Sequence, residues 1–239
     1  MLSLERQNQW REQYRRAYPD WQPATELFAR LVRTHLEVDA TLLDIGCGRG
    51  GLVEQLEHPV TQMLGVDPDW HSLTEHRLNM PRTVGLSDTL PFAAECFDVV
   101  FASWVLEHLE RPLQTFQSIY RTLKPGGVFV FITPNAQHPL ALLNNLLGRM
   151  GRLQGALVDK LYGRSHADTF PTYYRANHVH TLHELGQESG LRLKTICTIP
   201  DPSYLAFNAT MFKITSWFEQ KLPEHRRLHL VGVFQREDS

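Results

Sequence analysis

LLDIGCGRGG, residues 42–51, is the stretch whose reading decides the fold. An apolar run runs straight into a glycine-rich turn, and Gly46, Gly48 and Gly51 satisfy the spacing GxGxxG. That order reads as a buried strand, a tight turn and a helix start, with glycine placed where a ligand must come close to the backbone. Working outward, short apolar runs alternate with helical stretches: TLLDIG, then 51–57; QMLGVD, then 70–78; RTVGL and FDVVFA, then 112–123; and GVFVFIT. Such alternation builds βαβ units, which predicts an α/β fold of Rossmann-like type with helices on both faces of a mostly parallel sheet. A helix at 182–189, a strand at 191–199 and a closing strand, LHLVGVFQ, resume the rhythm further on. Ahead of the first strand, 4–17 and 24–36 read as helices, the second with Leu27, Phe28, Leu31, Val32 and Leu36 on one face.

A chain of 239 residues can bury one large core, so a single domain is expected over 1–239. Within it lie N-terminal helices (1–38), a ligand-binding core (40–135), an insertion (136–180), and the rest of the sheet (181–239) with a second helical insertion at 203–222. A connection as long as the first insertion is uncommon in a compact domain and is expected to form a lid. The net charge of −2 gives no pull toward a polyanion, which argues against nucleic acid as a partner. Cys47, Cys96 and Cys197 are odd in number and lack CxxC spacing, as befits a reducing compartment. With a polar N-terminus and no apolar run of membrane-spanning length, a cytoplasmic location is expected.

Asp67 closes the second strand, about where an acid that binds a ribose hydroxyl belongs, so the turn and this acid together indicate an adenosine-type cofactor. Asp44 then discriminates between cofactor classes. It precedes the turn at which a dinucleotide would bring its pyrophosphate, and a carboxylate there repels phosphate. S-adenosylmethionine has no phosphate and carries an ammonium group that a carboxylate attracts, directly or through water.

With those residues in view, the chain resembles the class I S-adenosylmethionine-dependent methyltransferases, in particular the broad group (methyltransferase type 11 domain) that includes the ubiquinone and menaquinone biosynthesis methyltransferases. LLDIGCGRGG is similar to the family's first motif, GVDP at 65–68 to its ribose-binding acid, LPFAAECFDVVFASWVLEHL at 90–109 to its fourth-strand region, and LKPGGVFVFITPN at 123–135 to its fifth strand. The resemblance implies a seven-stranded sheet, S-adenosyl-L-methionine as cofactor, and a cofactor site drawn from Asp44, Gly46, Cys47, Gly48, Asp67, Pro68, Ser87, Asp88 and Ser103. One position departs from the pattern: Leu86 stands where the family often has an acid for the adenine amino group, leaving Ser87, Asp88 or a backbone carbonyl to serve instead.

Methyl transfer draws its reactivity from the cofactor, so the protein mainly aligns the acceptor and excludes water. For a hydroxyl acceptor a base helps, and His108 in WVLEHL, after the fourth strand, is the candidate catalytic residue; its alternative role is to cap or brace a helix with Glu107. Asn135 and His138 in TPNAQHP are either acceptor contacts or parts of a turn, and Tyr173, Tyr174, Arg175 and Asn177 are either a pocket wall or packing. His178, His180 and His183 invite a metal, but Thr181 and Glu184 have capping-box spacing, which separates the histidines, and no metal is expected. Leucines recur at helical spacing through 140–164 among Arg149, Arg152, Lys160 and Arg164, which suits a lid packed on the cleft or a peripheral membrane contact. The aromatics of 203–222 and of the N-terminal WREQYRRAYPDW are read either as a roof over the acceptor or as ordinary core packing. The acceptor is expected to be a small molecule, methylated at oxygen; the alternatives are a membrane-associated lipid or quinone, or cofactor binding without turnover. A nicotinamide dehydrogenase is disfavoured by Asp44.

Overall fold

The structure, a computed structural model, describes residues 2–143 and 170–237. Most of the 140–164 stretch, with its lid or membrane reading, lies outside the described residues. Seven strands form one sheet in the order β3-β2-β1-β4-β5-β7-β6: β1 (Leu42–Ile45), β2 (Met63–Asp67), β3 (Arg82–Val84), β4 (Phe97–Ser103), β5 (Leu123–Pro134), β6 (Leu191–Ile199) and β7 (His229–Arg236). Strands β1 to β5 pair in parallel, whereas β7 runs antiparallel to both β5 and β6. This is the expected Rossmann-like α/β sheet. The strand order reverses at β1 and β4, and a sheet of this kind holds its ligand outside the carboxyl ends of the strands at that point.

A strand buried on both faces reads as a continuous apolar run, and β1 is LLDI with all four residues buried. Alternate side chains feed two core layers. Leu43, Ile45, Val100, Ala102, Phe129 and Phe131 pack with Phe116 of helix α4 (Pro112–Thr122) and Leu182 and Leu185 of helix α5 (Val179–Ser189). Phe116 meets Phe129 and Phe234 edge-on, at centroid separations of 5.6 and 5.2 Å. On the other face Leu42, Val99, Phe101, Val130 and Val231 pack under Leu27, Phe28 and Val32 of helix α2 (Ala24–His35), the face expected from its spacing. A third layer joins helix α1 (Leu4–Ala17) to the second insertion. Trp10 stacks on Phe212 of helix α6 (Ala209–Lys221) at 4.8 Å, and Trp21 Nε1 donates to the Pro200 carbonyl at 2.8 Å.

Three helical expectations are corrected. In place of a helix over 51–57 there is one 3-10 turn, Leu52–Gln55, which ends where Leu56 takes up extended backbone at φ −88° and ψ 119°. Helix α3 is Trp70–Thr74, well short of 78: the Arg77 amide donates to the Arg49 carbonyl at 3.1 Å, tying the chain back to the glycine turn. Helix α5 begins at Val179 with His178 as its N-cap residue, so Thr181 lies inside the helix and heads no capping box.

Candidate cofactor and acceptor site

The carboxyl edge brings the predicted cofactor residues together. After β1 the amides of Gly46 and Cys47 both donate to the Val66 carbonyl, at 2.7 and 3.3 Å, which folds the turn over β2. Gly46 holds φ +73° and Gly48 φ +47°, left-handed backbone that glycine adopts at no steric cost. Asp67 is buried; its Oδ2 accepts from the Gly48 amide at 3.0 Å and its Oδ1 from the Asp69 amide at 2.8 Å. Burial raises the Asp67 carboxyl above the usual range, partly opposed by those two hydrogen bonds.

Asp44 pairs across β1 with Gly65 on β2 and Phe101 on β4, and its side chain is buried. Among the described residues no donor reaches its carboxylate. Desolvation, with Asp67 nearby as a like charge, holds its carboxyl well above the ordinary range. The turn's amides are thus engaged within the fold, and what it presents is a close-lying backbone beside a buried acid without a counter-charge.

Cys47 faces away from this turn. A Cβ on Gly65 would strike Cys47 Sγ, so the thiol fills the space over β2, where burial pushes it up and leaves it inert. Only its main chain can serve a ligand. Pro68 is exposed beside Asp67, and Trp70, Val84 and Leu86 are exposed apolar residues around the same acid, Val84 being its partner in the β2–β3 register. Ser87 Oγ lies 3.2 Å from Thr115 Oγ1, and Asp88 pairs with Arg111 at 2.6 Å. Both side chains thus tie the 3-10 turn Ser87–Thr89 to α4, which leaves backbone groups as the polar atoms there for an adenine edge.

Ser103 ends β4, and Trp104 after it holds φ +59°, a costly conformation for a bulky residue. The Trp104 amide donates to the Ile132 carbonyl, and its ring meets that of His229 at 5.1 Å. Backbone strain leaves no mark in sequence, and His229 sits more than a hundred residues from Trp104, so neither residue was signalled.

His108, in the 3-10 turn Leu106–His108, has Nδ1 2.9 Å from the Pro171 carbonyl. A carbonyl only accepts, so this bond places the imidazole hydrogen on Nδ1 and the lone pair on Nε2. The bracing role is visible in Glu107. Its Oε2 accepts from Thr133 Oγ1 at 2.9 Å, and its carbonyl accepts from the Tyr173 and Tyr174 amides at 2.8 and 3.2 Å. Asn177 Nδ2 completes the clamp by donating to Thr133 Oγ1 at 2.6 Å and to the Pro134 carbonyl at 2.9 Å. The segment FPTYYRAN therefore locks the loops after β4 and β5, and of its polar groups Asn177 is structural.

For Asn135 and His138 the structural alternative is the one observed. Asn135 is wholly buried, its Nδ2 donating to the His225 and Arg227 carbonyls at 2.8 Å each. His138 is equally buried, with Nε2 2.8 Å from Glu219 Oε1 on α6. Both pin the second insertion to the sheet. Of the aromatics read as a roof or as packing, Tyr204 packs inward, its hydroxyl 3.2 Å from Nε2 of the buried His229, whereas Phe207, Trp217 and Phe218 face outward. Among the described residues no group of three or more His, Cys, Asp or Glu is placed to hold a metal ion.

His229 carries a pH prediction. Burial lowers its pKa to about 4, with Arg11 and His138 adding to the effect and Asp201 opposing it. The unfolded chain binds the proton first, so stability is full above about pH 6.5 and falls as pH drops toward 4, by roughly 3 kcal/mol for this group alone. Urea unfolding midpoints of wild type and His229→Gln across that window are expected to converge as pH falls. Parallel curves would count against it.

Residues 43–131 match a family described as the methyltransferase domain. The chain is 36% identical over 105 residues to the mitochondrial ubiquinone biosynthesis O-methyltransferase of Rattus norvegicus, covering 39% of this chain and 30% of that protein. It is 32% identical over 151 residues to an uncharacterized methyltransferase of Mycobacterium tuberculosis, covering 55% of this chain and 59% of that one. The matched region thus spans less than two thirds of these relatives. Among solved structures, geranyl diphosphate C-methyltransferase from Streptomyces coelicolor A3(2), in complex with Mg2+, geranyl diphosphate and S-adenosyl-L-homocysteine, shares the fold with a TM-score of 0.58 at 16% identity, over 88% of this chain and 77% of that one.

Proposed function

We propose that the chain, whose residues 43–131 match the methyltransferase-domain family, binds S-adenosylmethionine and directs its methyl group to an oxygen of a small molecule. The observation that carries the proposal is the buried Asp44 carboxylate, without a donor among the described residues, beside the glycine turn. A pyrophosphate would meet repulsion there, whereas an ammonium group supplies the missing counter-charge. The other residues fit the same ligand. Asp67 would accept from ribose hydroxyls while its bonds to the Gly48 and Asp69 amides hold it in place; Trp70, Val84 and Leu86 would flank the base; the glycine backbone at 46–48 would let the amino acid end come close.

When bound, this cofactor supplies a sulfonium-activated methyl carbon. The protein's share is alignment and exclusion of water at the edge formed by Ser103, Trp104 and the 170–177 clamp. His108, with its lone pair on Nε2, is the group proposed to accept the acceptor's hydroxyl proton. Similarity to the rat ubiquinone biosynthesis O-methyltransferase favours oxygen and supports a second reading, a quinone or lipid acceptor. Transfer of label from the cofactor to hydroxylated small molecules, set against prenylated phenols, separates the two; no transfer to any acceptor would leave a binding protein.

S-adenosylhomocysteine is expected to raise the melting temperature through binding to the native state, and NADH is not. Asp67→Asn removes one charged acceptor and is expected to weaken binding about tenfold, as loss of one charge-assisted hydrogen bond does. A larger shift with NADH than with the homocysteine nucleoside would overturn the cofactor assignment.

A further inference from the structure

Helix α6 has two apolar faces, and among the described residues one of them is left outside the core. Phe212 turns inward to Trp10, Tyr14 and Ala206, and the buried Glu219 turns inward to His138. On the outer strip Ile214 is 53% exposed, Trp217 61% and Phe218 39%, at the i, i+3 and i+4 spacing of one helical stripe. The charges bordering the strip are Lys213 and Lys221, both exposed, and Glu219 is the one acid in the helix. Next to it a shallow groove of about 290 Å³ between α1 and α6 is lined by Tyr14, Tyr18, Phe212, Lys213, Trp217 and Gln220.

We propose that this outer strip of α6 is a membrane-docking face that lies on anionic lipid, with Ile214, Trp217 and Phe218 entering the interface and Lys213 and Lys221 meeting the headgroups. Lysine stems of this kind cover apolar surface while their heads reach phosphate, and tryptophan favours the boundary between hydrocarbon and water. The helix has 13 residues, and among the described residues no helix is long and apolar enough to cross a membrane, so it would lie in the plane of the surface. Charge argues against a second copy of this chain as the occupant: a two-fold contact through the strip would bring four lysines together with no acid between them. Area argues against a protein partner. Three side chains at these exposures offer on the order of 300 Å², well below the ~800 Å² per side of a standard interface.

The inference goes beyond the cofactor assignment and does not depend on it. Its test is co-sedimentation of the full chain with vesicles of phosphatidylcholine, with and without phosphatidylglycerol. Binding is expected to rise with phosphatidylglycerol and fall with salt. Trp217→Ser/Phe218→Ser is expected to lower partitioning at least ~tenfold through lost apolar burial. Lys213→Glu/Lys221→Glu, at two exposed positions, is expected to abolish the dependence on phosphatidylglycerol. Retention of the wild-type melting temperature, and of its shift with S-adenosylhomocysteine where wild type has one, shows that each variant is folded. The proposal is overturned if wild type stays in the supernatant with anionic vesicles, if both variants bind as wild type does, or if the serine variant converts a lipid-free dimer to monomer.

Discussion

Asp44→Asn is expected to stabilise the free protein and to weaken its binding of S-adenosylhomocysteine by about a hundredfold. The two effects share one cause. In the free protein the carboxyl is buried, lies near Asp67 and has no donor among the described residues, so ionising it there is costly and its pKa is held well above normal. The unfolded chain loses that proton first. Stability contributed at this site therefore falls as pH rises from about 4 toward the raised value, and a neutral amide removes the fall. The gain at neutral pH is expected to be about 1–2 kcal/mol, which for a chain of this size raises Tm by roughly 2–8 °C. With an ammonium group beside it, the same carboxylate becomes half of a buried ion pair, and deleting one partner of such a pair costs about 2–5 kcal/mol of binding.

A second consequence distinguishes this account from simple loss of a contact. Binding favours the ionised form of Asp44, so any proton that the free protein holds on this carboxyl is expected to be released as the nucleoside binds, and Asp44→Asn has none to release. Calorimetry in two buffers of different ionisation enthalpy reads this directly. An asparagine variant that is less stable than wild type across the pH range, yet binds equally well, would remove the electrostatic basis of the cofactor assignment.

How much of this was legible beforehand follows from where each determinant lies in the chain. Gly46, Gly48, Asp44 and Asp67 are local: a strand, a turn and the end of the next strand place them within 24 positions of one another, and side-chain period and turn chemistry suffice to read them. The alternation of strands and helices was equally readable, because buried parallel strands are uniformly apolar. For Asn135 and His138 the sequence leaves two roles open, because polar residues at the carboxyl edge look alike whether they await a ligand or satisfy a loop. What decides is His225, Arg227 and Glu219, some 80 to 90 positions away. The same holds for His108, whose tautomer depends on the Pro171 carbonyl, and for α6, whose aromatics read as a roof until α1 claimed one face and left the other outside. The antiparallel β7 has no local signature. It runs backward because the second insertion, anchored through Trp21 and Asp201, delivers it to the sheet from the carboxyl edge.

Gly46→Ala is expected to cost about 2–5 kcal/mol of stability, although it adds a single methyl group. Alanine at φ +73° carries about 1–2 kcal/mol of left-handed strain. The new Cβ would also fall inside the contact shell of Val105 Cγ2, and forcing a methyl into a packed position costs a further ~1–3 kcal/mol. The two terms are separable. In a Val105→Ala background the overlap is gone and only the dihedral cost remains, so the penalty of Gly46→Ala is expected to shrink by about 1–3 kcal/mol in a double-mutant cycle. Gly48→Ala supplies the contrast. Its Cβ would come no nearer than 3.9 Å to Asp67 Oδ2 and would point into the space proposed for the ligand. That variant should fold with a cost near 1–2 kcal/mol and lose most of its binding of S-adenosylhomocysteine. The first glycine then serves packing of the turn on the loop after β4, and the second serves approach of the ligand to the backbone. Equal penalties for Gly46→Ala in both backgrounds, or a Gly48→Ala protein that binds like wild type, would show that the glycines do not divide the work in this way.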